Sequence, residues 1–113
     1  MKINNDKIKS PCFIINKKIL KENVDNIVSN CKKMHNNVII SYSLKTNSIP
    51  YLVKELYRNG LYIEVVSADE YKYAVKQGIN KKKIIYNGVA KDKKTFLTAI
   101  KNKCIVNIDT YKE

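Results

Sequence analysis

Lys45 is the residue best placed to do chemistry. It ends the apolar run Val38-Ile39-Ile40-Ser41-Tyr42-Ser43-Leu44 and is followed by Thr46-Asn47 and a helix start, not by a charged loop. A lysine held at the end of such a run is partly desolvated, and its amine gives up a proton more readily than a surface lysine does. That is the condition for a nucleophilic amine that condenses with a carbonyl compound to form a Schiff base. Position alone leaves a second reading open, a strand-end lysine whose amine snorkels to water. Polar residues also follow the other apolar runs: Glu64 and Ser67 around the third, Asn87-Gly88 after the fourth, Asp109-Thr110 after the fifth. The lone His35 falls in a helix-to-strand connection and reads as a surface residue. Cys12, Cys31 and Cys104 contain no close pair, which argues against a disulfide framework and against a CxxC-type zinc site. All three read as buried or half-buried thiols.

The elements that must position these groups alternate. Apolar, β-branched runs of strand length cover residues 12–15, 38–44, 61–66, 84–86 and 104–108, their starts 20 to 26 residues apart. Most are continuous rather than alternating, the pattern of strands covered on both faces. Helical periodicity fills the gaps. Residues 17–34 place Ile19, Leu20, Val24, Ile27, Val28 and Cys31 on one stripe. Residues 50–59 repeat the pattern, with Pro50 to open the helix, Ser48 as its cap and Asn59-Gly60 as a left-handed stop. A third helix covers residues 68–77 before Gly78, and Asp92 caps a fourth that carries Phe96, Leu97 and Ile100. Strand and helix alternating at this spacing imply right-handed βαβ units and a parallel sheet, either half of a barrel or an open doubly wound sheet. Ligands of both architectures bind at the carboxyl ends of the strands, the rim to which the polar residues above belong. No Gly-rich fingerprint follows the first run, which counts against a dinucleotide-binding fold.

Composition narrows the classes. The 113 residues suffice for one domain, and 44% are apolar, so the chain is not of the disordered class. No apolar run reaches the roughly 18 residues of a membrane span, and the N-terminus lacks the apolar stretch of a signal peptide, so the cytoplasm is the expected compartment, with no membrane partner. The formal charge of +12 comes from 21 lysines and the single arginine Arg58, scattered along the chain beside 14 Asn and 16 Ile. Nucleic-acid binders draw on Arg for its bidentate fork, and the one dense run here, Lys81-Lys82-Lys83, has no aromatic interleaving, so nucleic acid is a disfavoured partner.

The segment Tyr42-Ser43-Leu44-Lys45-Thr46-Asn47 resembles the YAVKAN segment of the pyridoxal-phosphate-dependent decarboxylases of the alanine-racemase barrel type, the group that holds the diaminopimelate and ornithine decarboxylases. Four further segments resemble that family in order and at its spacing. Residues 10–15 resemble its opening TPxYVxD strand and residues 63–70 its FDVVSGGEL segment. Residues 84–88 with Lys91 resemble IIFxGxxK, and residues 106–109 resemble the INVDS strand. Ser48-Ile49-Pro50 enters a helix at once, as in the decarboxylase branch, where alanine racemase has a longer Gly- and His-containing stretch.

The resemblance implies an α/β fold, the first half of a (β/α)8 TIM barrel with parallel strands alternating with helices. Residues 1–9 would be an N-terminal extension and residues 10–113 a partial pyridoxal-phosphate-binding barrel domain. It implies pyridoxal 5'-phosphate as cofactor, held by Lys45 through a Schiff base, with Glu64 and Asn47 as further cofactor-binding residues. Glu64 stands where the family has Asp, and its carboxylate is expected to pair with the lysine amine. Asn47 is expected to position its loop, and Glu70 to cap a helix. An amino-acid substrate is implied, and a homodimer for the full-length enzyme. The family's Gly-rich phosphate loop, its stacking His and its substrate-binding Cys and Tyr have no counterpart in these 113 residues, which by themselves are not expected to decarboxylate. The alternative is a non-catalytic pyridoxal-phosphate carrier or a basic nucleic-acid-associated fragment.

Overall fold

The structure, a computed structural model, describes residue 9 and residues 11–113. Helix α1 spans Lys17–Met34; the Asn16 side chain accepts from the backbone N–H groups of Lys18 and Ile19, and Lys32 and Lys33 offset the dipole in its last turn. Strand β1 is Ser41–Ser43, α2 Pro50–Arg58, β2 Tyr62–Val65, α3 Ala68–Lys76, β3 Ile84–Tyr86, α4 Lys93–Lys101 and β4 Ile105–Val106. Each helix begins or ends on a local signal. Pro50 opens α2, and Gly60 beyond its end takes φ +93°, a left-handed conformation that costs glycine nothing. Ser67 and Glu70 cap α3 reciprocally: Ser67 Oγ accepts from Glu70 N at 3.2 Å while Glu70 Oε2 accepts from Val66 N at 2.8 Å. Asp92 accepts from Lys94 N and Thr95 N at the start of α4.

The four strands form one parallel sheet in the order β1-β2-β3-β4. Sequential order with a helix between each pair is the winding of a barrel, because a doubly wound sheet reverses direction at its first strand. The register Ser43↔Glu64↔Ile85↔Ile105 puts those four side chains on one face; Tyr42, Ile63 and Ile84, and Val65, Tyr86 and Val106, share the other. Helices cover the second face: Ile63, Val65, Ile84 and Tyr86 are fully buried against Val53 of α2, Tyr71 and Ala74 of α3 and Ala99 of α4. A smaller cluster joins Val24 of α1 to Leu56 and Leu61.

Four expectations need correction. Residues 12–15 form no strand: they make no ladder with any described residue, and Phe13 and Ile14 stay exposed. Coverage on both faces is not seen, since β2 and β3 alternate between buried and half-buried and helices lie on one side only. Ser48 does not cap α2; Ile49 occupies the cap position, and Asn47 Oδ1, two residues earlier, takes the Ile49 N–H at 3.0 Å in an Asx turn. Cys12 is exposed, as are its neighbours Phe13 and Ile14, whereas Cys31 and Cys104 are half-buried. Ser10 and most of the proposed 1–9 extension lie outside the described residues.

Candidate functional site

The carboxyl ends of β1, β2 and β3 carry the groups of interest. Lys45 sits in a 3-10 turn, Leu44–Thr46, that starts where β1 stops. Leu44, buried in the core, ties the turn down from below. Two tyrosine hydroxyls brace it from the sides: Tyr42 donates to the Asn47 carbonyl at 3.1 Å, and Tyr73 of α3 donates to the Ser48 carbonyl. Burial raises the Tyr42 phenol's pKa, which keeps its donor proton in place. The Asn47 side chain closes the following turn on Ile49 N, so Asn47 is a loop-positioning residue in this structure. Leu44, Lys45, Ser48, Asp69, Glu70 and Tyr73 line a groove of about 450 Å³ between the turn and the start of α3.

Lys45 is at the rim but is not sheltered there. It is exposed, and among the described residues its amine makes neither an ion pair nor a hydrogen bond. The expectation of a sheltered lysine is therefore corrected; shelter needs a covering element, and none lies over the sheet face beside Lys45 among the described residues. The expected Lys45–Glu64 pair is not formed either. Glu64, half-buried on the open face, instead accepts from Asn87 Nδ2 at 3.0 Å. Asn87 is itself fixed by its backbone N–H on the Val65 carbonyl at 2.8 Å. The next residue, Gly88, has φ +105°, and a Cβ there would stand 2.6 Å from the Val66 carbonyl oxygen, so only glycine lets the two backbones approach.

A second lysine of this rim behaves in the opposite way. The Lys91 side chain is wholly buried; its amine donates to the Gly88 carbonyl, to Asp109 Oδ2 at 2.7 Å and to both Glu113 carboxylate oxygens at 3.2 and 3.1 Å. Burial pulls the Lys91 pKa down, but the hydrogen bonds and charges of Asp109 and Glu113 outweigh it and hold the pKa above the usual lysine value. Lys91 is thus a bound cation that staples the turn after β3 to the segment after β4, and Lys45 is the amine left available.

Three features had no clear sequence signal. The Tyr73 brace joins residues 25 apart, and the Asn87–Glu64 bond joins residues 23 apart. The third, Ser43, is in register with Glu64, and its Oγ is inaccessible to solvent with no hydrogen-bond partner among the described residues.

Residues 22–113 match the sequence family described as pyridoxal-dependent decarboxylase, pyridoxal binding domain. The chain belongs to this family. Among curated proteins it is 29% identical over 105 residues to a diaminopimelate decarboxylase of Aquifex aeolicus, covering 92% of this chain and 24% of that protein. Among solved structures it is similar to the diaminopimelate decarboxylase of M. jannaschii in complex with L-lysine (TM-score 0.81, 23% identity, 94% of this chain and 26% of that one). It is also similar to the Helicobacter pylori enzyme complexed with L-lysine (TM-score 0.78, 22% identity, 95% of this chain and 27% of that one). At those identities the two structures establish a shared fold, the first part of a TIM-barrel decarboxylase domain. The chain spans about a quarter of the length of these relatives. Neither the family nor the relatives favour a carrier or a nucleic-acid-associated fragment.

The residues at the rim fit a pyridoxal group in kind. They offer an accessible primary amine, a hydroxyl whose hydrogen bond is unmade, and a carboxylate already oriented by an amide. Pyridoxal phosphate carries an aldehyde and ring-borne acceptors that suit the first two.

Proposed function

We propose that the chain is the lysine-bearing part of a pyridoxal-phosphate-dependent amino-acid decarboxylase of the diaminopimelate type, with Lys45 anchoring the cofactor. One observation carries the reading: in a pyridoxal-binding-domain chain, the amine of Lys45, unpaired among the described residues, stands just past the tip of β1, next to the face that holds Glu64. When bound, pyridoxal phosphate supplies an aldehyde carbon for an amine to attack and a ring that takes up the electron pair released as the α-carboxylate leaves as carbon dioxide. Lys45 supplies the anchoring nitrogen, and its exposure lets an aldehyde reach it from solvent. Glu64, its carboxylate held by Asn87, contributes a fixed negative charge that orients a protonated group beside it. Asn47 acts at one remove by setting the turn on which Lys45 rides. Lys45, Glu64 and Asn47 make up the proposed cofactor-binding set.

For the whole enzyme we propose a diamino dicarboxylic acid as substrate, one that leaves lysine on losing a carboxylate. The names of the relatives support this, as does the L-lysine in two solved structures. The proposal includes a homodimer, a cytoplasmic location and residues 10–113 as one partial barrel domain, all on the resemblance. The test is reductive trapping. Full-length protein is mixed with pyridoxal phosphate, its visible absorbance recorded, and the adduct fixed with borohydride and located by peptide mapping. The expected result is a predominant label on Lys45 that Lys45→Ala removes. Label spread over many surface lysines, with no preference for Lys45, overturns the proposal.

A further inference from the structure

Ser43 carries a hydroxyl that the folded chain does not use. Its Oγ reaches no solvent and has no hydrogen-bond partner among the described residues. A buried hydroxyl left unpaired is destabilising, and most such groups in native proteins find a partner. Strand pairing does not call for it, because the ladder of β1 is made by backbone groups. The register sets Ser43 beside Glu64 on the sheet face that the helices leave uncovered, and one residue, Leu44, separates it from Lys45. Leu44 turns into the core, and Lys45 follows at the rim. The orphan hydroxyl is therefore the nearest unused polar group on the strand that delivers the anchoring amine.

We propose that Ser43 is a cofactor-binding residue whose hydroxyl donates a hydrogen bond to an acceptor atom of the pyridoxal ring bound at Lys45. The assignment rests on the function proposed above. On this assignment the partner that the Ser43 hydroxyl lacks among the described residues is an acceptor of the ligand.

The experiment compares wild type, Ser43→Ala and Ser43→Thr as full-length proteins, with three readouts: melting temperature without cofactor, half-saturation by pyridoxal phosphate followed by visible absorbance, and borohydride mapping. Ser43→Ala is expected to melt at or above the wild-type temperature when empty. It should need about 5-fold more cofactor for half-saturation, the size of one net hydrogen bond, with a displaced absorbance band. Lys45 should remain its main labelled site. Ser43→Thr, which keeps the hydroxyl, should restore the wild-type band. Unchanged half-saturation and band in Ser43→Ala, with Lys45 labelled in the wild type, overturn the role of Ser43 and leave that of Lys45 intact. A marked fall in the empty protein's melting temperature overturns it as well, because the hydroxyl then has a structural partner. Failure of the wild type to label Lys45 removes both.

Discussion

Two lysines of one rim show how little the residue type says about chemistry. Lys91 is buried, its amine shared among four acceptor oxygens, which holds its proton; Lys45 is exposed and has no partner among the described residues, so a reagent can reach it. A similar contrast runs through the tyrosines of the core. Tyr71 and Tyr86 stack with centroids 6.0 Å apart, yet the Tyr71 hydroxyl accepts from Asn102 Nδ2 at 2.9 Å while that of Tyr86 is buried without a partner among the described residues. Tyr86→Phe is thus expected to keep or slightly raise stability, and Tyr71→Phe to lose about 1 kcal/mol. Denaturant midpoints at constant m-value measure both, and a loss at Tyr86 as large as at Tyr71 would refute the distinction. The strand-end position of Lys45 was legible at this scale because a cation ending a seven-residue, largely apolar run stands out. Its exposure was not, because burial depends on which other elements cover a position.

The helices were largely written in their own residues. Asn16, Pro50, Ser67 and Asp92 start them where the periodicity of apolar residues begins, and Gly60 and Gly78 stop two of them in left-handed turns. Such signals act within four residues, so sequence carries them. Strands differ, because a strand exists only through its neighbour. Residues 12–15 have strand composition but no partner among the described residues, and β1 and β4, each paired on one side there, are shorter than their apolar runs. The caps also titrate. Hydrogen bonds from the Thr95 side chain and then from the Thr95 and Lys94 backbone hold the Asp92 carboxyl below its ordinary value. A lowered native pKa means that the Asp92 contribution is complete above the unfolded value, about pH 4. It disappears as pH falls through the native value. Glu55, held down by Lys17 and Arg58, and Glu113, held down by Asp109 N and Lys91, act in the same direction. Melting temperatures from neutral to acid pH should fall less steeply for Asp92→Asn, which keeps the acceptor and loses the charge. Identical acid limbs would exclude a titrating cap.

At the scale of the molecule, the order of strands and the one-sided helix layer make this chain a sector of a barrel wall, its outer face packed and its inner face open. The alternation of elements already pointed to a parallel sheet. The choice between barrel and doubly wound sheet needed the observed strand order, or the five family-like segments in register. The rim depends on long-range bonds, of which the Lys91 cluster is the strongest: it joins residues 18 and 22 positions apart. Those ties have a use outside any catalytic question. Because the Lys91 side chain has no solvent exposure, an amine-acylating reagent applied to the native protein should modify Lys45 early and Lys91 last. Mass spectrometry of the acylation time course would then read the opening of the fold at one residue, with Lys91 as its clock. Acylation of Lys91 at the pace of Lys45 would mean that the staple between the two turns is already undone in solution.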